Sequence, residues 1–184
     1  MSFIKKNFYL ISIVILILFV GMIVLFRQKE PDVPQLKSRV GGISLGGEWI
    51  NTKQAIDGLI EKLRKNPDDI KLKIQLAQGY IQEARITGDY TYYDEACIKL
   101  MNSVLKKEPN NFEALVTLAT AYLSQHHFQE GLEVGLRAKK INPHAAFAYG
   151  VLTDAYIEMG KYDSAIVMVD SMCAIRPDLT SYSR

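Results

Sequence analysis

The sequence predicts an all-α protein, a solenoid of antiparallel helix pairs preceded by one apolar helix. Three observations predict it. Pro109, Pro143 and Pro177 stand 34 and 34 residues apart. A small cluster recurs ahead of them, as Leu76-Ala77-x-x-Tyr80, Leu118-Ala119-x-x-Tyr122 and Leu152-Thr153-x-x-Tyr156. Phe8 to Phe26 is a run of 19 residues without a charge. A fixed period of this length marks a repeat architecture, in which each unit buries its apolar face only against its neighbours.

The uncharged run reads FYLISIVILILFVGMIVLF. As a helix it would be about 28 Å long at ~1.5 Å per residue, close to the ~30 Å of a bilayer's hydrocarbon core. It has no polar face, which a surface helix of a globular core would show. It exceeds the ~7–15 apolar residues of a secretory signal and lacks a small-residue cleavage site. Residues 1–27 are therefore expected to be a short basic N-terminus and an uncleaved transmembrane anchor. Lys5 and Lys6 before the run nearly balance Arg27 and Lys29 after it, so charge alone barely orients it. The basic-then-apolar start favours export, with the rest of the chain periplasmic or otherwise outside the cytoplasm.

Residues 28–50 contain Pro31, Pro34 and four glycines at 41, 42, 46 and 47. This composition opposes a continuous helix and reads as a flexible linker. Gly46-Gly47-Glu48 lacks the Lys-Ser/Thr that would hold a phosphate. Residues 51–66 are expected to form a lead-in helix. Ile56, Leu59, Ile60 and Leu63 make one apolar stripe there, and Asn51 or Thr52 is the expected N-cap.

Three repeats follow, over 67–109, 110–143 and 144–177. Tyr122 to Gly131 and Tyr156 to Ala165 are both nine residues, and each is followed by a proline twelve residues on. In the first repeat, Tyr80 to Ala96 is sixteen, seven more. Seven residues are about two turns at ~3.6 per turn, so each helix of that hairpin gains roughly one turn, with Thr87-Gly88-Asp89 as the tip. Residues 178–184 begin a further helix, capped by Asp178, with Leu179 and Tyr182 on one face. So short a segment does not complete a capping helix. Ile166, Val169, Met172 and Cys173 are therefore expected to remain exposed, for self-association or a partner.

These residues carry a resemblance. Leu-small-x-x-Tyr on a first helix, a small residue in the second and a closing proline resemble the tetratricopeptide repeat (TPR) family over roughly 67–178. Small residues let the two helices approach, aromatics fill the space beside them, and proline ends the second helix. Thr153 and Gly131 depart from the pattern, standing for a small residue and for alanine. The resemblance implies a right-handed superhelix whose first helices line a concave groove for a protein or peptide partner. Carried over by repeat, the partner-binding positions are Lys71, Ile74, Gln78, Val116, Thr120, Leu123, Phe147, Gly150, Asp154 and Ile157. Chaperone-binding members hold a carboxylate clamp with Lys and Asn where Ile74 and Thr120 stand here, so that clamp is not implied. The arrangement of anchor, linker and repeats also resembles the TPR subunit of bacterial cytochrome c maturation, which implies holding an apocytochrome. A third reading is the regulatory part of a longer enzyme.

The remaining chemistry is sparse. Residues 31–184 carry 18 Lys and Arg against 19 Asp and Glu, which argues against nucleic acid as a partner. His126 and His127 fall at a turn without ligand-spaced neighbours, and His144 lies between repeats, so no metal or cofactor site is expected. Cys97 and Cys173 read as structural thiols on different second helices. Asp68-Asp69 and Asp94-Glu95 read as charges that complement helix starts. Tyr80, Tyr122, Tyr156 and Tyr162 recur at repeat spacing and read as core. No catalytic constellation emerges, and a scaffold without catalysis is the expectation.

Overall fold

The computed structural model describes residues 8–26, 33–39 and 46–183. The chain divides into two units, Met1–Pro34 and Gln35–Arg184. The first contains helix α1, Phe8–Phe26. The side chains described in it are those of Ser12–Phe19, Gly21 and Met22. Among the described residues no helix is long and apolar enough to cross a membrane. The expected single-pass anchor, and the localisation built on it, are corrected accordingly.

The second unit is a stack of helices: α2 (Gly46–Lys65), α3 (Ile70–Thr87), α4 (Tyr90–Lys107), α5 (Phe112–Ser124), α6 (Phe128–Ile141), α7 (Ala146–Glu158), α8 (Tyr162–Ile175) and the short α9 (Leu179–Tyr182). Hairpins α3–α4, α5–α6 and α7–α8 are the repeats. Local chemistry sets their ends. Asp69 accepts from the Leu72 N–H at 3.0 Å, and Asn111 from that of Ala114 at 2.9 Å. These side chains satisfy first-turn donors that have no partner within the helix. Pro67, Pro109, Pro143 and Pro177 each stand two residues past the end of α2, α4, α6 or α8, where the pre-proline residue is driven out of helical geometry. α2 begins at Gly46, so Asn51 and Thr52 lie inside the helix and do not cap it. The segment 46–50, read as linker, is its first turn and more.

Packing is layered. Successive helices pack on each other, and α3, α5 and α7 also touch side by side. The first helices thus draw together on one face, and the second helices form the other layer. One core cluster joins Leu115, Val116, Ala119, Ala138, Ala148 and Val151. The next joins Leu132, Ala146, Tyr149, Leu152, Ala155, Met168 and Met172. Gly131 stands where the repeat pattern has alanine, because a Cβ there would sit 2.8 Å from Leu123 Cδ2. Thr153 is tolerated in the core because its hydroxyl donates to the Tyr149 carbonyl at 2.9 Å. Ile56, Ile60 and Leu63 of α2 are buried, and α2 packs on α3. Tyr80 is fully buried and stacked on Tyr93, with ring centroids 5.9 Å apart. Tyr162 departs from the core reading, being 65% exposed.

Residues 35–39 correct the reading of a flexible linker. They form an extended strap against the α3–α4 hairpin. Leu36 is buried. The Lys37 N–H donates to Tyr93 Oη at 3.0 Å, and Tyr92 Oη donates to the Gln35 carbonyl at 2.9 Å. Lys37 Nζ lies 2.6 Å from Asp89 and 3.8 Å above the Tyr92 ring. Arg39 grips Glu83 with two hydrogen bonds, at 2.6 and 3.3 Å. The platform is the lengthened hairpin: α3 and α4 have 18 residues each, against 13 and 14 in the later hairpins. Its tip turns at Gly88, whose φ of 75° is left-handed, and Asp89 then caps α4.

The C-terminal end also differs from expectation. Ser181 is buried, and its hydroxyl donates to the Arg176 carbonyl at 2.6 Å. Asp178 caps α9 through the Ser181 N–H at 3.0 Å. Leu179 and Tyr182 point the other way, 84% and 70% exposed. Met172 is buried, Val169 and Cys173 are half-buried, and Ile166 is exposed.

A cleft on the layer of first helices

One cleft of about 280 Å³ opens among α3, α4, α5 and α7. α3 contributes Ile81 and Arg85, and the start of α4 contributes Tyr90 and Asp94. α5 contributes Thr120, Leu123 and Ser124; α7 contributes Phe147, Val151, Asp154 and Glu158. The three- and four-residue spacings within α5 and α7 place these side chains on one helical face. Phe147 is 58% exposed, an uncovered aromatic in the wall.

Asp94 lies at the bottom. Its side chain is fully buried, the Ser124 hydroxyl hydrogen-bonds its Oδ2, and its Oδ1 has no hydrogen-bond partner. Burial pushes its carboxyl above the ordinary carboxylate range, and the neighbouring Ser124 hydroxyl, Gln125 amide and Arg85 charge oppose the shift. Ser124 Oγ also lies 3.0 Å from the Ala121 carbonyl. A hydroxyl has one hydrogen to give, so two acceptors compete for it. Gln125 closes the side of the cleft by donating to the Tyr90 carbonyl at 2.8 Å.

Of the positions carried over from the repeat family, Thr120, Leu123, Phe147 and Asp154 meet in this cleft. Lys71, Gln78 and Ile157 are exposed but lie outside it. Ile74, Val116 and Gly150 are buried in helix packing, which leaves them no surface for a partner. Sequence reasoning missed Ile81, Arg85, Tyr90, Asp94, Ser124, Val151 and Glu158. Ser124 and Glu158 stand one turn beyond Thr120 and Asp154, so extending each row by four residues reaches them. Asp94 gave no such signal. It sits on a second helix and read as a helix-start charge, whereas the fold buries it.

Cys97, His126 and His127 lie outside the cleft. Cys97 is buried, and burial pushes its thiol well up, away from the reactive thiolate. His126 and His127 are exposed at the α5–α6 turn. Among the described residues no three His, Cys, Asp or Glu side chains gather as a metal would need.

Paired helices at a 34-residue period, with first helices forming a shared face around a cleft, define a TPR-like helical-repeat protein. Residues 54–178 match the family model of the ChAPs (Chs5p-Arf1p-binding proteins), and the chain belongs to that family. Solved structures agree on the fold. The chain is similar to a crystal structure of MamA at 20% identity, over 77% of either chain, with a TM-score of 0.60. A second MamA crystal structure matches at 21% identity, over 69% of this chain and 65% of that one, with a TM-score of 0.58. TTC0263, a thermophilic TPR protein of Thermus thermophilus, matches at 16% identity over 68% and 66%, with a TM-score of 0.60. At these identities the likeness shows fold alone. No curated protein matches the chain by sequence.

Proposed function

We propose that this chain is a non-catalytic scaffold that receives a segment of a protein partner in the cleft of its first helices. The observation that supports it is the cleft itself. It is a concave site with apolar walls (Ile81, Leu123, Phe147, Val151) and a few converging polar groups, the composition expected of a recognition site. The family's name describes proteins that bind Chs5p and Arf1p, and a protein partner is what we carry over from it. The apocytochrome-holding and enzyme-regulatory readings have no supporting observation among the described residues. The groove positions Lys71, Gln78 and Ile157 extend the same surface beyond the cleft and are proposed as outer contacts.

The test is binding of peptides selected on the full chain from a random library, titrated against variants. Phe147→Ala and Thr120→Arg should each weaken binding at least about tenfold, because an anchoring pocket carries a disproportionate share of affinity. Leu136→Ala, at an exposed position on α6, should not. Equal effects at Phe147 and Leu136 would contradict the reading.

A second reading, self-association through the C-terminal end, rests on the exposed Tyr162, Ile166, Val167, Leu179 and Tyr182. Light scattering across a concentration series should show a growing mass that Leu179→Asp abolishes. A constant monomer mass would remove this reading.

A further inference from the structure

We infer that the bottom of the cleft is a receptor for one cationic side chain, a lysine or arginine of the bound segment, which donates to Asp94 Oδ1. This rests on the scaffold reading above and adds to it the chemistry of the ligand.

The argument begins with an accounting of donors. Asp94 is fully buried, yet Oδ1 takes no hydrogen bond. Buried polar atoms in native proteins are overwhelmingly paired, and an exception calls for a specific explanation. Asp94 Oδ2 is served by the Ser124 hydroxyl, and the Ala121 carbonyl already accepts the Gln125 N–H, so the shortage falls on Oδ1. An ammonium brings three donors and a guanidinium five, with no acceptor to leave unsatisfied. A hydroxyl or amide ligand would bring fewer donors and no charge.

The surrounding charge points the same way. Asp154 and Glu158 line the cleft from α7, one turn apart. Arg85 is the one cationic residue among the described residues lining it, is exposed, and donates nothing to Oδ1. The lining thus carries three carboxyl groups and one guanidinium, a composition that favours a positive over a negative ligand. Apolar Ile81, Leu123 and Val151 suit the methylene stem of a lysine or arginine, which packs on apolar surface while its head finds a carboxylate. A charge-assisted bond inside this walled site is stronger than its surface equivalent.

The experiment uses the full chain and a phage-displayed library of random 12-residue peptides. Peptides are sorted first by sensitivity to Phe147→Ala, which reports the cleft without touching Asp94. The inference expects the sensitive peptides to share a lysine or arginine at one position. Replacing that residue by norleucine should lower affinity at least about tenfold, the scale of one lost hydrogen bond to a charged group. Asp94→Asn should do the same, and the two changes together should cost little more than either alone. The melting temperature of Asp94→Asn is read alongside. A variant that melts no lower than the parent yet binds less places the effect in recognition. If Asp94→Asn melts well below the parent, Asp94→Glu and the norleucine peptide decide, because the peptide change leaves the protein's fold untouched. Cleft-binding peptides without a basic residue, or indifferent to Asp94→Asn, overturn this inference and leave the scaffold reading standing. No peptide sensitive to Phe147→Ala overturns both.

Discussion

Arg39 and Glu83, 44 residues apart, form a two-point ion pair in which the Glu83 side chain is fully buried and Arg39 is 11% exposed. The pair fastens the strap to the longest hairpin of the repeat array. It also explains how a carboxylate can stand inside α3 without unfolding it. A buried charge is tolerated when a partner and hydrogen bonds replace its water. The added turns of α3 and α4 provide the surface on which this happens.

Arg39→Ala should therefore lower stability by about 2–3 kcal/mol in urea unfolding. That is below the ~3–5 kcal/mol typical of an enclosed pair, because the strap can lift and let water reach Glu83. Lys37→Ala is the internal comparison. Its ion pair with Asp89 is 50% and 37% exposed, and solvent-screened pairs of this kind add little to stability. Equal costs for the two variants would show that the strap is not fastened through Glu83.

His126 should be replaceable with a gain. It has φ of 60°, and Gly160, 34 residues on in the same turn, has φ of 68°. The left-handed region costs a side-chain-bearing residue about 1–2 kcal/mol, partly offset in a glycine variant by the greater entropy of its unfolded chain. The edge-on contact of the His126 ring with Phe128, centroids 5.5 Å apart, is lost. His126→Gly should stabilise by up to about 1 kcal/mol, read as a raised melting temperature. A lowered one would mean that the ring contact outweighs the strain.

Asp94 gives a prediction with a defined sign. Its carboxyl is raised above the ordinary 3.8, chiefly by burial. The folded protein then holds this proton more tightly than the unfolded chain does. The stability it contributes is fully present below pH 3.8 and is lost as pH rises through the folded value. At pH 7 its burial is a net cost. Asp94→Asn keeps the shape without the charge and should melt above the parent at pH 7. The gap should close as pH falls and Asp94 takes up its own proton. A variant that is less stable at pH 7 would show that the charge is needed by the fold.

The repeat was legible because its signals are local and periodic. Prolines at a fixed period end the second helices, and Leu76, Ala77, Leu118, Ala119 and Leu152 fill equivalent core sites. The longer first hairpin could be counted from Tyr80 and Ala96. The strap could not be read. Leu36, Lys37 and Arg39 stand in a proline- and glycine-rich stretch, and the hydrogen-bond partners of Lys37 and Arg39 lie 44 to 56 residues away. Nothing in a local pattern reports such pairs. The membrane reading rested on the composition of one apolar run, and the described residues do not carry it. At the cleft, Thr120, Leu123, Phe147 and Asp154 were legible as rows on first helices. Asp94 was not, because its burial depends on α5 closing over α4.

The most direct test of the central claim is site-specific photocrosslinking of a selected peptide to the full chain. A benzophenone side chain is placed either at Phe147, in the cleft, or at Leu136, exposed on α6 in the layer of second helices. The account predicts a crosslinked product from position 147, lost on competition with unlabelled peptide, and none from position 136. A specific product at 136 with none at 147 would contradict the claim that the first helices hold the partner.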